Sequence, residues 1–141
     1  MSTPAAVSGA LSEAVVAAII AAGTPAGGSV YTPPLPKAAG FPRVTVDGYT
    51  EDERNFFGRP GSRFRCLVRG AVYVPETESG DARREALWSG VYGALHQTAL
   101  TVDGHLHLYG RLRRIASYAE PTDARILVFV ARYEAETRVA A

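Results

Sequence analysis

Apolar residues along this 141-residue chain shift from helical spacing to strict alternation and back, and the shifts mark its elements. Leu11, Val15, Ala18, Ile19 and Ala22 share one face at the helical period, which predicts an amphipathic helix with a small-residue surface docked on a sheet. Thr3-Pro4 or Ser8 supplies its start, and Gly23 followed by Pro25 its stop. The text then becomes TPAGGSVYTPPLPKAAGFP (24–42), whose five prolines and three glycines exclude a helix and leave room for a brief strand over 29–32. This connector reads either as an extended arm or as a surface loop packed on its own domain.

Alternation follows. PRVTVDGYT (42–50) sets Val44 and Val46 on one face. FRCLVRGAVYVP (64–75) sets Phe64, Cys66, Val68, Val72 and Val74 inward against Arg65, Leu67, Arg69 and Tyr73. Between them TEDERNFFGRPGS (50–62) is too long for a tight hairpin turn and reads as a loop, with Thr50 and Glu53 at capping-box spacing for a short helical turn. A second helix spans 79–99, capped by Ser79 or Asp81, with Glu76, Glu78, Asp81 and Glu85 near its positive end. Its buried face is Ala82, Ala86, Leu87, Val91, Ala94, Leu95 and Thr98. Two antiparallel strands, 105–118 and 125–137, close the chain across the turn AEPTD, and the start of RILVFVARYEAET is apolar on both faces, as in a central strand. The order predicts a small single α+β domain over 1–141, with one mostly antiparallel sheet and two helices packed on one face.

Composition adds mainly exclusions. Apolar content of 47% with 21% charged residues is globular, and a net charge of +1 gives no whole-molecule attraction to nucleic acid or acidic lipid. No apolar run is long enough to span a membrane, and AVVAAIIAAG (14–23), preceded by Glu13 and no basic residue, does not read as a signal peptide. The single cysteine, Cys66, excludes an internal disulfide and falls in an inward row where a thiol is inert filler.

Candidate chemistry centres on GALHQTALTVDGHLHLYG (93–110), which holds all three histidines. His105 and His107 point the same way on a strand, but a zinc site needs at least three ligands. Their row continues into Tyr109, Arg111 and Arg113, and such cations repel a metal. The stretch therefore reads as the half-exposed polar face of a sheet, and no metal or cofactor is expected. No GxSxG elbow, dinucleotide fingerprint or phosphate loop occurs, and the carboxylate clusters 51–53 and 76–81 suit capping and solvation. Two features point to contacts instead. Phe56 and Phe57 stand in a charged stretch beside Arg59: either they form a contact surface or one folds back on the core. Arg111, Arg113 and Arg114 form a basic row which, with Arg65 and Arg69 on another strand, suits carboxylate pairing with a neighbouring subunit.

The helix end ALHQTAL (94–100) and the stretch VDGHLHLYGRLRRIASYAEPTDARILVFVARYEAET (102–137) resemble the tail terminator, or tail completion, family of long-tailed bacteriophages and related gene-transfer particles. The matching features are Ala94, Leu95 and Leu100, the basic strand from Arg111 to Ile115, Asp123 in the acidic turn, and Tyr133-Glu134 late in the last strand. The opening helix and VYTPPLP (30–36) also lie where that family has its first helix and strand. The chain departs from the pattern in its proline-richer connector (33–42) and its longer, more charged 50–62 segment.

The resemblance implies a non-enzymatic virion protein that forms a homohexameric ring at the head-proximal end of the tail. Its partners would be copies of itself, the major tail tube protein and the head-tail connector or stopper, with DNA passing through the central channel as cargo and no membrane. Phe56, Phe57, Arg59, Arg111, Arg113 and Arg114 are the candidate contact residues. The alternatives are a neighbouring neck protein (stopper or adaptor) and a small ligand-binding or enzymatic α+β domain.

Overall fold

The computed structural model describes residues 8–37, 39–56, 59–74, 80–97, 101–102, 106–108, 112–120 and 125–139. Its elements run α1 (Ser8–Ala21), β1 (Val30–Tyr31), β2 (Arg43–Phe56), β3 (Arg59–Tyr73), α2 (Gly80–Leu95), β4 (Thr101–Val102), β5 (Leu106–Leu108), β6 (Arg113–Glu120) and β7 (Ile126–Val139). The strands form one seven-stranded sheet in the order β1-β2-β3-β7-β5-β4, with β6 also paired to β7. All pairings are antiparallel except β1 with β2. This is the α+β architecture expected from the sequence.

Both helices lie on one face. Leu11, Val15 and Ile19 of α1 and Leu87, Val91 and Leu95 of α2 are buried in one cluster with Val44, Val46, Phe64, Cys66, Val68, Phe129, Ala131 and Tyr133 of the sheet. Ala82 and Ala86, expected in the buried face of α2, are exposed, and Ala22, expected on the face of the first helix, lies just past its end and is exposed as well. The larger side chains at the middle of each stripe remove more apolar area from water and so take the positions nearest the sheet. Thr98, Thr3-Pro4, Ser79, Glu76 and Glu78 lie outside the described residues.

Two glycines let the layers meet. A Cβ at Gly48 of β2 would collide with Ser12 of α1 and the ring of Phe64, and one at Gly70 of β3 would collide with the ring of Phe129. Phe129 has no room to move: it is fully buried and stacked on Trp88 of α2, ring centroids 5.1 Å apart and planes 10° apart. The bare backbone of Gly70 is thus what allows a phenyl ring to lie across the sheet beneath α2.

The expected strands were partly redrawn. The 50–62 segment is no loop: β2 and β3 continue through it as a hairpin, with Arg54 opposite Gly61, Asn55 opposite Pro60 and Phe56 opposite Arg59. An irregularity between Glu51 and Arg54 takes up the mismatch, as a bulge does when one strand carries extra residues. Charge density hid this strand from the alternation pattern. Within the expected strand 105–118 the described residues 106–108 form β5 and 113–118 fall in β6, and both strands lie along the same side of β7. The 24–42 connector buries Thr24, Ala26 and Val30 against the domain, while 32–37 is exposed.

Gly70→Val is expected to destabilise the domain by about 3 kcal/mol or more, since the clash is with a buried ring that has no alternative rotamer space. Gly93→Ala, on the exposed side of α2 with nothing within 4 Å of the new methyl, should stabilise by about 0.5–1 kcal/mol. Urea unfolding of both variants measures the contrast.

The core also sets a pH dependence. Burial, with the Asp47 carboxylate adding to it, holds the Cys66 thiol well above its ordinary pKa of 9.0. Burial likewise pushes the Tyr133 phenol from 10.0 up to about 12, against the pull of Arg114. Each group stays neutral in the fold at pH values where the unfolded chain ionises, so the unfolded state is the one that sheds protons as pH rises. Stability should therefore be full below about pH 9 and fall between pH 9 and 12, with Tyr133 alone contributing on the order of 2 kcal/mol by the top of that window. Denaturant titrations across this range should show that slope, flattened in a Cys66→Ala/Tyr133→Phe double variant.

Candidate interaction surface

The face of the sheet opposite the helices carries the chain's outward rows. Register lines up Tyr49, Arg65, Glu134 and Arg113 across β2, β3, β7 and β6. The next rows are Asp47, Leu67, Arg132 and Ala116, then Thr45, Arg69, Val130 and Tyr118, then Arg43, Ala71, Val128 and Glu120. These residues share a face because side chains alternate along each strand.

Glu134 is the hinge of the first row. Its carboxylate is only 11% exposed and sits between two guanidinium groups, 3.7 Å from Arg65 Nε and 3.4 Å from an Arg113 terminal nitrogen. A buried carboxylate flanked by two arginines keeps its charge compensated without a helix above it. A second ion pair joins Arg69 of β3 to Glu120 of β6. These residues stand opposite Val130 and Val128 on β7, so the pair bridges over the valines between them. That bridge explains why Val128 and Val130, with Ala71, are buried as a separate small cluster on a face no helix covers. The sequence showed β7 as apolar on both faces; the cover on the second face comes from long polar side chains that shield it with their stems.

Within the chain Arg113 pairs with Glu134 and Arg69 with Glu120. Arg113 nevertheless remains 64% exposed. Arg114 does not continue an outward basic row. Its guanidinium lies over the Tyr92 ring at 4.2 Å from the centroid, and its backbone N–H donates to His96 Nδ1 at 3.2 Å. Arg113 and Arg114 are successive residues in regular register with Glu134 and Tyr133, so they fall on opposite faces of the sheet. Arg111 lies outside the described residues.

His96 stacks on Tyr92 at 4.6 Å between centroids and accepts the Arg114 N–H, so it joins α2 to the start of β6. His107 sits in β5 opposite Arg138 and Thr101, and His105 lies outside the described residues. Among the described residues no three His, Cys, Asp or Glu side chains converge as metal ligands would.

Phe56 and Arg59 face each other at the tip of the β2–β3 hairpin, beyond the last β3–β7 pair at Gly61 and Arg138. Their side chains and the whole of Phe57 lie outside the described residues. The structure thus puts Phe56 and Arg59 together at one end of the sheet and Arg113 and Arg114 at the start of β6.

Leu67 and Tyr73, which alternation placed in the outward row with the arginines, are exposed, as are Tyr49, Ile115 and Tyr118, which sequence reasoning missed; the five are exposed by 37–54%. Alternation was the available signal for Tyr49 as well. A groove of about 500 Å³ also opens between Pro25, Phe41 and Pro42 of the connector, Val72 and Tyr73 of β3, and Arg83 and Ala86 of α2. Among the described residues its walls are apolar apart from the Tyr73 hydroxyl and Arg83.

No family model matches the chain, and no curated protein does. Solved structures do resemble it. A chain from the virion of a native gene transfer agent particle superposes with a TM-score of 0.69 at 21% identity, covering 94% of this chain and 98% of that one. A second solved chain gives a TM-score of 0.53 at 11% identity, over 93% of this chain and 88% of its own length. At these identities the likeness is one of fold, and over nearly its full length this chain is similar in fold to a component of that virion.

Proposed function

We propose that this protein is a structural component of a tailed phage or gene-transfer particle. Within that class it forms a hexameric ring on the head-proximal end of the tail tube, stops tube polymerisation there and offers the surface on which the head connector docks. The single observation that carries this reading is the two-way coverage of the fold match, 94% of this chain and 98% of a virion chain, because a shared fragment would leave one chain partly unmatched. The resemblance in residues 94–137 supports the tail-end role within that class.

The proposed action is by shape. A heterologous contact repeated by a fixed rotation closes into a ring when the rotation returns to its start. A lasting ring needs contacts of roughly 1,000 Å² or more between copies. Exposed aromatic residues and arginines, of the kind that Tyr49, Tyr118 and Arg113 provide, are what such contacts use. DNA crosses the central channel as cargo, and the ring binds the tube on one side and the connector on the other. The protein turns over no substrate and needs no cofactor in this role.

The test is to add the purified protein to polymerising tail tube subunits of its own particle. Tubes should shorten and carry a ring at one end in negative-stain images. Tubes of unchanged length with bare ends would overturn the reading. For the hairpin tip, Phe56→Ser with Phe57→Ser should leave circular dichroism and melting nearly unchanged while abolishing ring or tail-end association in sedimentation. A double variant that still assembles removes the tip from the contact.

A further inference from the structure

Strand β6 is an unprotected sheet edge. Its first residues are covered by the end of α2: Gln97, in the left-handed conformation at φ 62°, donates its N–H to Leu112 O at 2.7 Å, and His96 takes the Arg114 N–H. From Ile115 to Ala119 the strand is exposed at every residue, with Ile115 at 43% and Tyr118 at 54%. No strand pairs with its outer side among the described residues. The sequence IASYA (115–119) has no charge and no proline, the devices with which free edges are usually blunted. An edge of this kind presents a row of unpaired N–H and C=O groups to another strand.

The opposite edge of the same sheet is also open. The two-residue β1 covers β2 only at Val44 and Thr45. From Val46 onward β2 has no outer neighbour among the described residues, and its far part carries Glu51, Asp52 and Glu53. We infer that β6, from Ile115 to Glu120, pairs with the part of β2 beyond Thr45 of a neighbouring copy, so that the sheets join into one continuous band around the ring. The inference rests on the ring proposed above and names its junction.

Direction and charge agree on this pairing. Within the chain β2 is antiparallel to β3, β3 to β7 and β7 to β6, so β2 runs antiparallel to β6. A copy generated by rotation about an axis along the strands keeps those directions, and its β2 therefore meets β6 antiparallel, the better-bonded geometry. In that orientation the Arg113 end of β6 approaches Glu51, Asp52 and Glu53 of β2, while Glu120 lies toward the Arg43 end. A parallel approach would bring Arg113 toward Arg43 and Glu120 toward the acidic run, like charge against like. The two edges differ from each other, as a head-to-tail contact that closes a ring requires.

Two variants test the junction, each changing exposed residues of one edge: Ile115→Lys/Tyr118→Lys on β6, and Asp47→Lys/Tyr49→Lys on β2. Each alone should remain folded and need about a hundredfold more protein than the wild type to assemble, read by analytical ultracentrifugation. An equimolar mixture should form a heterodimer and stop there, because one intact β6 meets one intact β2 and no second junction is left. Rings from either variant at the wild-type concentration, rings from the mixture, or a mixture that stays monomeric would overturn the inference.

Hydrogen exchange gives a check without substitutions. Amides within 115–120 should exchange at least about tenfold more slowly in the wild-type ring than in the isolated chain, and unchanged exchange would overturn the junction. A wild-type chain that never forms rings, even with tail tubes, sinks the proposed function and the junction with it. A wild-type ring that survives both variants sinks the junction alone.

Discussion

The stacking of Phe129 between Gly70 and Trp88 ties the helical layer to the centre of the sheet. Phe129 belongs to β7, which pairs with β3 along one side and with β5 and β6 along the other, so a ring held there fixes the strand on which most of the sheet depends. The close approach demands a residue without a side chain beside it, and Gly70 meets that demand near the end of β3. Gly48 does the same for α1, one strand away, where Ser12 and Phe64 come together. Both contacts sit on the same face, and the two helices share one core because of it.

The other face is organised by charge. Glu134 between Arg65 and Arg113, and Arg69 reaching Glu120, hold β3, β7 and β6 together across two strand spacings. The partly exposed Arg69–Glu120 pair contributes little by itself, about 0–1 kcal/mol. Its larger effect is to cover Val128 and Val130, which would otherwise be apolar surface in water. A sheet face so arranged is neither a core nor a plain solvent surface. It offers tyrosines and a leucine among fixed charges, a composition suited to specific contact without indiscriminate aggregation.

The edges complete this division of labour. α2 ends on the first residues of β6 through His96 and Gln97 and leaves the uncharged stretch after Ile115 open. The same cluster explains two sequence features that looked chemical. His96 serves as an acceptor and stacking partner at a helix end, and Arg114 turns back over Tyr92 rather than outward. A titratable residue near a sheet edge here has a positioning role.

Much of this fold was legible in the residues themselves. The inward row Phe64, Cys66, Val68 and Val72, the helix stripes around Val15 and Val91, and the doubly apolar β7 all follow from period alone, because burial selects apolar side chains at the spacing each element imposes. Tertiary structure decided what period cannot carry. Charged residues 51–56 form a strand because pairing with 59–63 satisfies the backbone whatever the side chains are. Arg113 and Arg69 meet carboxylates of their own chain because register brings residues far apart in sequence onto one row, and register is a property of the paired sheet. The strand direction that makes one edge able to receive the other likewise emerges only once three pairings are in place, since no single stretch of sequence encodes the relation between two strands that never touch within the molecule.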